Sequence, residues 1–532
     1  MANVTLTALF SNLNDWPGRL FEARGDEIFL VRTATTFAFR FGPSHNFAGF
    51  SITATGSGFG YLAGDPVIGT MTALTIRNAL GQVVLTVAGL TGLASQLSQI
   101  MSDIFGSALP DAGPGPDPTG AWSHLLSGND TIFGTIGNDQ EGFPGVDVGN
   151  DTYLLGAGDD EVNGGIGNDS YNGGTGYDIL MFRQTHFNEG NAAFRGAVVN
   201  VMTGVALDPW GGTDRFTGFE EFRLSRFNDV FVGHNTERDD VRGYRGNDVI
   251  DGGANTFDLL GNQTNDANDR VRYSDDYWQG GRFGIVANLQ VALVNGSIRG
   301  TVRDGFGNVD TLYDIERIEG TRFGDVFIGS SVDNQFRGFE GRDSYNGGSG
   351  GWDGINFSGD TMGTGPFGVN VNLALATGQI INDGFGNTET AIAIDYLIGS
   401  DNGDILRGNA ANNNLEGQRG ADTLSGQGGH DGFVFWSQDD AAAGIDRVTD
   451  FASTGVGADF LAFGVPEWTG MTTTLRLVNG TAATTAFGTF LFDTVTDQLI
   501  WDSNGTGVGG RMIIAILPNV VALSAANFEL WT

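Results

Sequence analysis

Along residues 1–90, apolar and polar positions alternate in short runs separated by Gly-rich turns. The runs Val4-Thr5-Leu6-Thr7, Phe37-Ala38-Phe39-Arg40-Phe41, Ser51-Ile52-Thr53-Ala54-Thr55 and Val83-Val84-Leu85-Thr86-Val87 read as strands. The period then changes. Leu93, Leu97, Ile100, Met101, Ile104 and Phe105 recur at three- and four-residue steps, which predicts one amphipathic helix packed on the preceding sheet or over the open end of a stack. Pro110, Pro114, Pro116 and Pro118, mixed with Gly and Asp, read as a linker. These features define a β-rich domain over 1–109, ending in the helix, and a linker over 110–121.

A third rhythm begins near residue 125. Large apolar residues at Tyr153, Val162, Tyr171 and Leu180 each follow two positions after Asp151, Asp160, Asp169 and Asp178, at nine-residue spacing. Asp130 and Asp139 form another nine-spaced pair upstream. The unit is G-G-x-G-x-D-x-U-x, where U is large and apolar. It returns at Asp239 and Asp248, at Asp325, Asn334 and Asp343, and at Asp404, Asn413, Asp422 and Asp431. Asp258 and Asp353 follow with one residue inserted, and Asp229 stands nineteen before Asp248. Between these clusters runs a longer repeat of strand, Gly-rich turn and strand. Its copies start at Val198-Val199-Asn200-Val201, Ile285-Val286-Ala287-Asn288-Leu289 and Val369-Asn370-Val371-Asn372-Leu373. They read as wider coils or side excursions of one solenoid. The repeat blocks are 122–185, 186–260, 261–360 and 361–435, with a closing domain over 436–532.

The nine-residue unit has a physical logic. Its six-residue Gly-rich part supplies positive φ and inward carbonyls, and its last three residues form a short strand. The apolar residue points into a thin core between two parallel sheets. Two units complete a coil, so acids eighteen apart stack on one edge: Asp151 over Asp169, Asp160 over Asp178, Asp325 over Asp343, Asp404 over Asp422, and Asn413 over Asp431. Asp229 over Asp248 and Asp239 over Asp258 need one extra residue. Stacked carboxylates repel unless a cation lies among them. Ca²⁺ takes six to eight oxygens, which carboxylates and backbone carbonyls supply. Folding and binding of several Ca²⁺ ions are then one event. Asn334 and Asn413 are expected to bind more weakly or through a carbonyl oxygen, and some isolated loops could equally be ion-free Asx-turns.

Composition sharpens this picture. The chain has 532 residues, 86 of them Gly, and a formal charge of -36. All 27 basic residues are Arg, and 48 of the 63 acids are Asp, the short carboxylate suited to turns and metal loops. Such a charge repels nucleic acid and anionic membrane. Salt-adapted acidity is the bland alternative, but these acids are positioned rather than scattered. Disorder fits poorly, because 40% of the chain is hydrophobic and 39 residues are Phe. There is no Cys, so neither disulfides nor thiolate metal sites arise. The N-terminus shows no basic n-region followed by an apolar h-region, and no apolar run is long enough to span a membrane.

With these residues in view, positions 125–435 resemble the repeats-in-toxin (RTX) family of calcium-binding proteins. Nonapeptide phase, Gly positions and the apolar residue all agree. Phe433-Val434-Phe435 and Ile445-Asp446-Arg447-Val448-Thr449-Asp450-Phe451 look like the segment that closes such rolls. Gln498-Leu499-Ile500-Trp501-Asp502-Ser503-Asn504-Gly505-Thr506-Gly507 and Ala525-Ala526-Asn527-Phe528-Glu529-Leu530-Trp531 are similar to targeting domains of type I secretion substrates. The resemblance implies an all-β protein, a calcium-binding parallel β-roll or β-solenoid between small β-rich end domains. It also implies export from a Gram-negative bacterium through the type I secretion apparatus, and folding outside or at the cell surface.

The family includes enzymes, and their signatures can be sought in this sequence. His45, His124, His186, His234 and His430 form no His-Glu-x-x-His pair. Gly347-Gly348-Ser349-Gly350-Gly351 matches Gly-x-Ser-x-Gly but lies inside a calcium loop, without a strand-to-helix elbow. No catalytic residues are assigned, and the protein reads as non-enzymatic. A structural role is expected: a self-assembling surface-layer, matrix or filament subunit, homo-oligomeric or latticed. The alternatives are a polysaccharide lyase or epimerase on the solenoid, and an adhesin that grips cell-surface polysaccharide through Trp210, Trp278 or Trp352.

Overall fold

The computed structural model describes residues 149–163, 165–182, 193–253, 268–294, 297–359 and 365–532. For 291–294, 297–298, Thr131–Phe133 and six strands between residues 3 and 88 it describes the backbone alone. The expected helix at 93–105 and the linker lie outside the described residues, as do Asp130, Asp139 and Asp258. The chain divides into two compact units, residues 1–254 with 265–267, and residues 255–264 with 268–532.

In the first unit, Glu27–Arg32, Thr36–Phe41, Ser51–Leu62, Asp65–Arg77 and Val83–Ala88 form an antiparallel meander, closed by Asn3–Leu6 against Val83–Ala88. The parallel part follows the nine-residue rhythm. Thr152–Ala157 pairs with Ser170–Thr175, placing Tyr171 beside Tyr153, and Glu161–Asn163 pairs with Ile179–Met181, placing Leu180 beside Val162. The register offset is eighteen residues, two units per coil. One residue of each three-residue strand faces inward, and Tyr153, Val162, Tyr171 and Leu180 are at most 1% exposed. Stacked rows of like side chains result: the rings of Tyr153 and Tyr171 lie 5.0 Å apart, 22° from parallel.

The longer repeat is a three-stranded antiparallel insert within one sheet. Val198–Asn200, Val205–Leu207 and Thr213–Thr217 pair in sequence. The last of them lies parallel to Ser170–Thr175, and the first lies parallel to Val230–Val232. One sheet thus gains rungs while the opposite sheet continues directly, Ile179–Met181 beside Glu221–Arg223. The second unit repeats the device with Val286–Val294, Ser297–Arg303 and Val309–Tyr313. In its third copy Asn370–Asn372 pairs with Ile380–Asn382, and only a single bridge from Ile380 to Glu389 leads onward.

The second unit carries the longest uninterrupted stack. Arg270–Arg272, Arg317–Glu319, Gln335–Arg337, Gly354–Asn356, Tyr396–Ile398, Asn414–Glu416, Gly432–Phe435, Phe460–Gly464 and Phe528–Trp531 are successive parallel neighbours. Its far end is closed by an aromatic cluster in which Phe463 lies 4.7 Å from Phe490 and 5.4 Å from Trp468, and Phe490 lies 4.8 Å from Trp501. Each unit contains a parallel β-roll and is nearly all β; among the described residues the one α-helix is Gln438–Ala443, capped by Ser437. No helix of the described residues is long and apolar enough to cross a membrane.

A core one side chain deep has no second layer to fill a hole. Phe336 is 0% exposed and packs 5.3 Å from Phe327. Phe336→Ala is expected to cost roughly 3–5 kcal/mol, read as a lowered urea midpoint in calcium with an unchanged strand signal.

Candidate metal centre

Every acid of the nonapeptide phase that is described sits at the last position of a turn, just before a strand whose central side chain is buried. There it is hidden: Asp151, Asp160, Asp169, Asp178, Asp229, Asp239, Asp248, Asp325, Asn334, Asp343, Asp353, Asp404, Asn413, Asp422 and Asp431 are all at most 3% exposed. Each stacked pair is joined in one way. The backbone N–H of the earlier residue donates to Oδ1 of the later one: Asp151 to Asp169 at 2.7 Å, Asp160 to Asp178 at 2.8 Å, Asp325 to Asp343 at 2.8 Å and Asp404 to Asp422 at 2.7 Å. Asn413 donates to Asp431 at 2.8 Å, and the nineteen-residue pairs Asp229–Asp248 and Asn334–Asp353 do the same at 2.9 Å.

These columns extend beyond the nonapeptides. Asp169 N–H donates to Asp214, Asp178 to Glu220, Asp343 to Glu389, Asp353 to Asp395, Asp422 to Asp446, Asp431 to Asp459 and Asp269 to Glu316, at 2.7–3.3 Å. None of these capping acids belongs to a nonapeptide: six of the seven spacings are not multiples of nine, and the 45 residues from Asp169 to Asp214 contain an insert rather than five units. The signal that finds them is the acid two positions before a buried apolar residue: Asp214 before Phe216, Glu220 before Phe222, Glu316 before Ile318, Glu389 before Ala391, Asp395 before Leu397, Asp446 before Val448 and Asp459 before Leu461.

Two kinds of turn recur. In the first, the carboxylate is closed by its own loop. Ser225, Thr321 and Ser400 each donate N–H to Oδ2 and hydroxyl to Oδ1 of Asp229, Asp325 and Asp404, four residues on. In the second, the residue four before the acid has positive φ, so its peptide is turned over and its N–H withdrawn. Gly156, Gly174, Tyr244, Phe339, Gln418 and Gln427 have φ from 59 to 109° and precede Asp160, Asp178, Asp248, Asp343, Asp422 and Asp431. Oδ2 of Asp178 and of Asp422 is then buried with no hydrogen-bond partner. It faces a glycine five residues back: a Cβ on Gly173 would fall 2.6 Å from Asp178 Oδ2, and one on Gly417 2.2 Å from Asp422 Oδ2. Only glycine leaves this space open.

The two asparagines behave differently from the acids they replace. Oδ1 of Asn334 accepts from Ser330 N–H and Oδ1 of Asn413 from Asn409 N–H, inside their own turns. Their Nδ2 groups donate back to the carbonyls of Glu316 and Asp395 in the coil before. A neutral carboxamide completes those rungs without charge.

The electrostatics follow from burial. Desolvation raises the carboxyl pKa of Asp169, Asp178, Asp404 and Asp431 to about 6 and that of Asp353 and Asp214 to about 8. Asp343 and Asp422 are pushed up by burial and then by the stacked acids Asp325, Glu389, Asp446 and Asp404. The fold holds these groups near one another at the expense of their charge, and a cation reverses that term. The donor set fits Ca²⁺: hard oxygens only, with inverted Gly peptides at hand. No three His, Asp or Glu side chains converge among the described residues, and the other oxygens at hand are backbone carbonyls. His430 is exposed, and Ser349 lies in a turn whose N–H donates to the Ser330 carbonyl of the stacked coil, not at a strand-to-helix elbow.

Comparison with known families agrees with this geometry. The model for the RTX calcium-binding nonapeptide repeat (4 copies) matches residues 126–140, 147–180, 235–256, 319–351 and 398–433. Asp229, Asp258 and Asp353 fall outside the matched segments. No curated protein matches the chain as a relative.

Two outcomes follow. The raised acids titrate near their ordinary value of about 4 when unfolded, but between about 6 and 8 in the ion-free fold. Their contribution is therefore fully present below about pH 4 and is lost as pH climbs through 6 to 8. In chelator, circular dichroism should show folded content falling from pH 5 to pH 8, and saturating calcium should remove the fall while releasing protons. The two kinds of turn should also part company. Ser400→Ala loses a hydroxyl bond to Asp404 and should cost roughly 1–2 kcal/mol with or without calcium. Asp422→Asn should leave stability in chelator unchanged or higher and reduce the gain on adding calcium.

Proposed function

Because the chain is an RTX calcium-binding protein, we propose that it is an exported structural protein whose roll folds only where calcium is abundant, and which then assembles with copies of itself at the cell surface. The observation that carries this reading is the column of buried, mutually stacked carboxylates whose second oxygens face glycine-lined spaces. At the low free calcium of a cytosol, the acids of such columns ionise and the coils stay apart. At ~10⁻⁴–10⁻³ M calcium, the range served by extracellular modules, they close. A chain that stays open until it leaves the cell is suited to one-step export through the type I apparatus.

Assembly is supported by the surface. Phe194, Phe283 and Phe367 stand just before the three copies of the longer repeat and are 68%, 60% and 57% exposed. Each stands shortly before a strand anchored to a column, where Ala197, Ile285 and Val369 donate N–H to Asp229, Asp325 and Asp404. Calcium closure of a column thus fixes where each ring projects. Rigid, repeated aromatic projections suit lateral contacts between identical subunits.

Negative-stain microscopy with calcium should show ordered sheets or filaments that disperse on chelation. The triple variant Phe194→Ser, Phe283→Ser, Phe367→Ser should keep its calcium-induced dichroism and fail to form them. Monomers of the parent protein in saturating calcium at all concentrations would refute self-assembly.

A further inference from the structure

The three copies of the longer repeat share a turn that the nonapeptide pattern does not contain: Asp208-Pro209-Trp210-Gly211-Gly212, Asp304-Gly305-Phe306-Gly307-Asn308 and Asp383-Gly384-Phe385-Gly386-Asn387. In all three, Oδ1 of the leading Asp gathers backbone N–H groups of its own turn. Trp210, Gly211 and Gly212 donate to Asp208 at 2.5–2.8 Å, Phe306 and Asn308 to Asp304 at 3.0 and 2.6 Å, and Phe385, Gly386 and Asn387 to Asp383 at 2.8–2.9 Å. The other oxygen distinguishes the copies. In the second and third, Nδ2 of Asn308 and of Asn387 donates to Oδ2 at 2.9 Å. The first has Gly212 in that place, and Asp208 Oδ2, on a residue 0% exposed, has no partner.

That oxygen is not isolated from other donors of the same kind. A Cβ on Gly212 would fall 2.4 Å from Asp208 Oδ2 and 1.5 Å from the carbonyl oxygen of Gly167, so the missing side chain lets both oxygens approach the same point. Asp214, six residues after Asp208, accepts Asp169 N–H on Oδ1, while its Oδ2 is also buried without a partner. The charges of Asp169 and Asp208 both act on it. Arg195, the nearby cation, donates to the carbonyl oxygens of Asp208 and Gly212 and makes no ion pair with either carboxylate among the described residues. Two carboxylates with idle buried oxygens beside a carbonyl form an oxygen-only donor set.

The geometry points to an additional Ca²⁺ site between Asp208 Oδ2 and Gly167 O, with Asp214 as its second carboxylate. Here the ion takes the part that an asparagine amide plays in the two sister turns. The site lies outside the nonapeptides on the side of Asp208 and Asp214, and it completes the column above Asp169. It rests on the calcium reading of the roll, and its test separates the two. Bound calcium per chain is counted by equilibrium dialysis on the full-length protein and on Asp208→Asn, Asp214→Asn and the double variant, each checked for calcium-induced dichroism. The expected result is one ion fewer in each single variant and still one, not two, in the double. Unchanged stoichiometry in a folded single variant overturns the site and leaves the roll untouched. If the variants do not fold, calcium anomalous scattering from crystals of the parent protein decides: a peak between Asp208 Oδ2 and Gly167 O supports the site, and peaks only between nonapeptide turns exclude it. A parent protein that binds no calcium would instead defeat the reading of the whole roll.

Discussion

The structure depends on one bond, the N–H of one turn-ending residue donating to the carboxylate of the residue stacked on it. Asp151 to Asp169 and Asp404 to Asp422 are examples at 2.7 Å. The bond fixes the eighteen-residue register and brings each apolar side chain over its predecessor. It also forces like charges into a buried file. Hydrogen bonding rewards the arrangement and desolvation penalises it. A thin core of single rows such as Phe327 and Tyr345, stacked at 5.1 Å, has little surplus to absorb that conflict. Divalent cations settle it.

The protein uses three answers to the same conflict. Ser225, Thr321 and Ser400 wrap their acids in local hydrogen bonds and make those turns self-sufficient. Asn334 and Asn413 remove the charge and invert the rung, donating to the coil before rather than accepting from it. Phe339, Gln418 and Gln427 take up positive φ, unusual for residues with a Cβ; Asp422 is left with Oδ2 unpartnered, while Asp343 Oδ2 accepts the Tyr345 hydroxyl. In the pair Asp404–Asp422 a hydroxyl-closed turn thus adjoins one whose second oxygen has no partner, and in the pair Asp325–Asp343 it adjoins one closed by a tyrosine hydroxyl.

The roll itself was legible in the sequence. Tyr153, Val162, Tyr171 and Leu180, each two positions after an Asp, give the strand, its inward face and its register, because an eighteen-residue coil has no freedom to place them otherwise. The difference between turns was harder to read. It lies in the residue four before the acid, where Ser400 and Gln418 look alike as polar surface residues, yet one offers a hydroxyl and the other a reversed peptide. The capping acids Glu389, Asp395, Asp446 and Asp459 were hidden for another reason. An insert or a closing loop restores the stack after 46, 42, 24 and 28 residues, so contact is kept while numerical period is lost.

The column running from Asp269 through Glu316, Asn334, Asp353, Asp395, Asn413 and Asp431 to Asp459 has a direction. Each acidic rung is finished by the coil that comes later in the chain, and the last by Asp459, which Asn527 braces at its carbonyl beside the terminal strand. Within the second unit the rungs of this column lean on later coils, and the final one is mounted beside the aromatic cluster of Phe463, Phe490 and Phe528. That unit thus carries its own seed crystal at the aromatic end, from which order can advance coil by coil back toward Asp269.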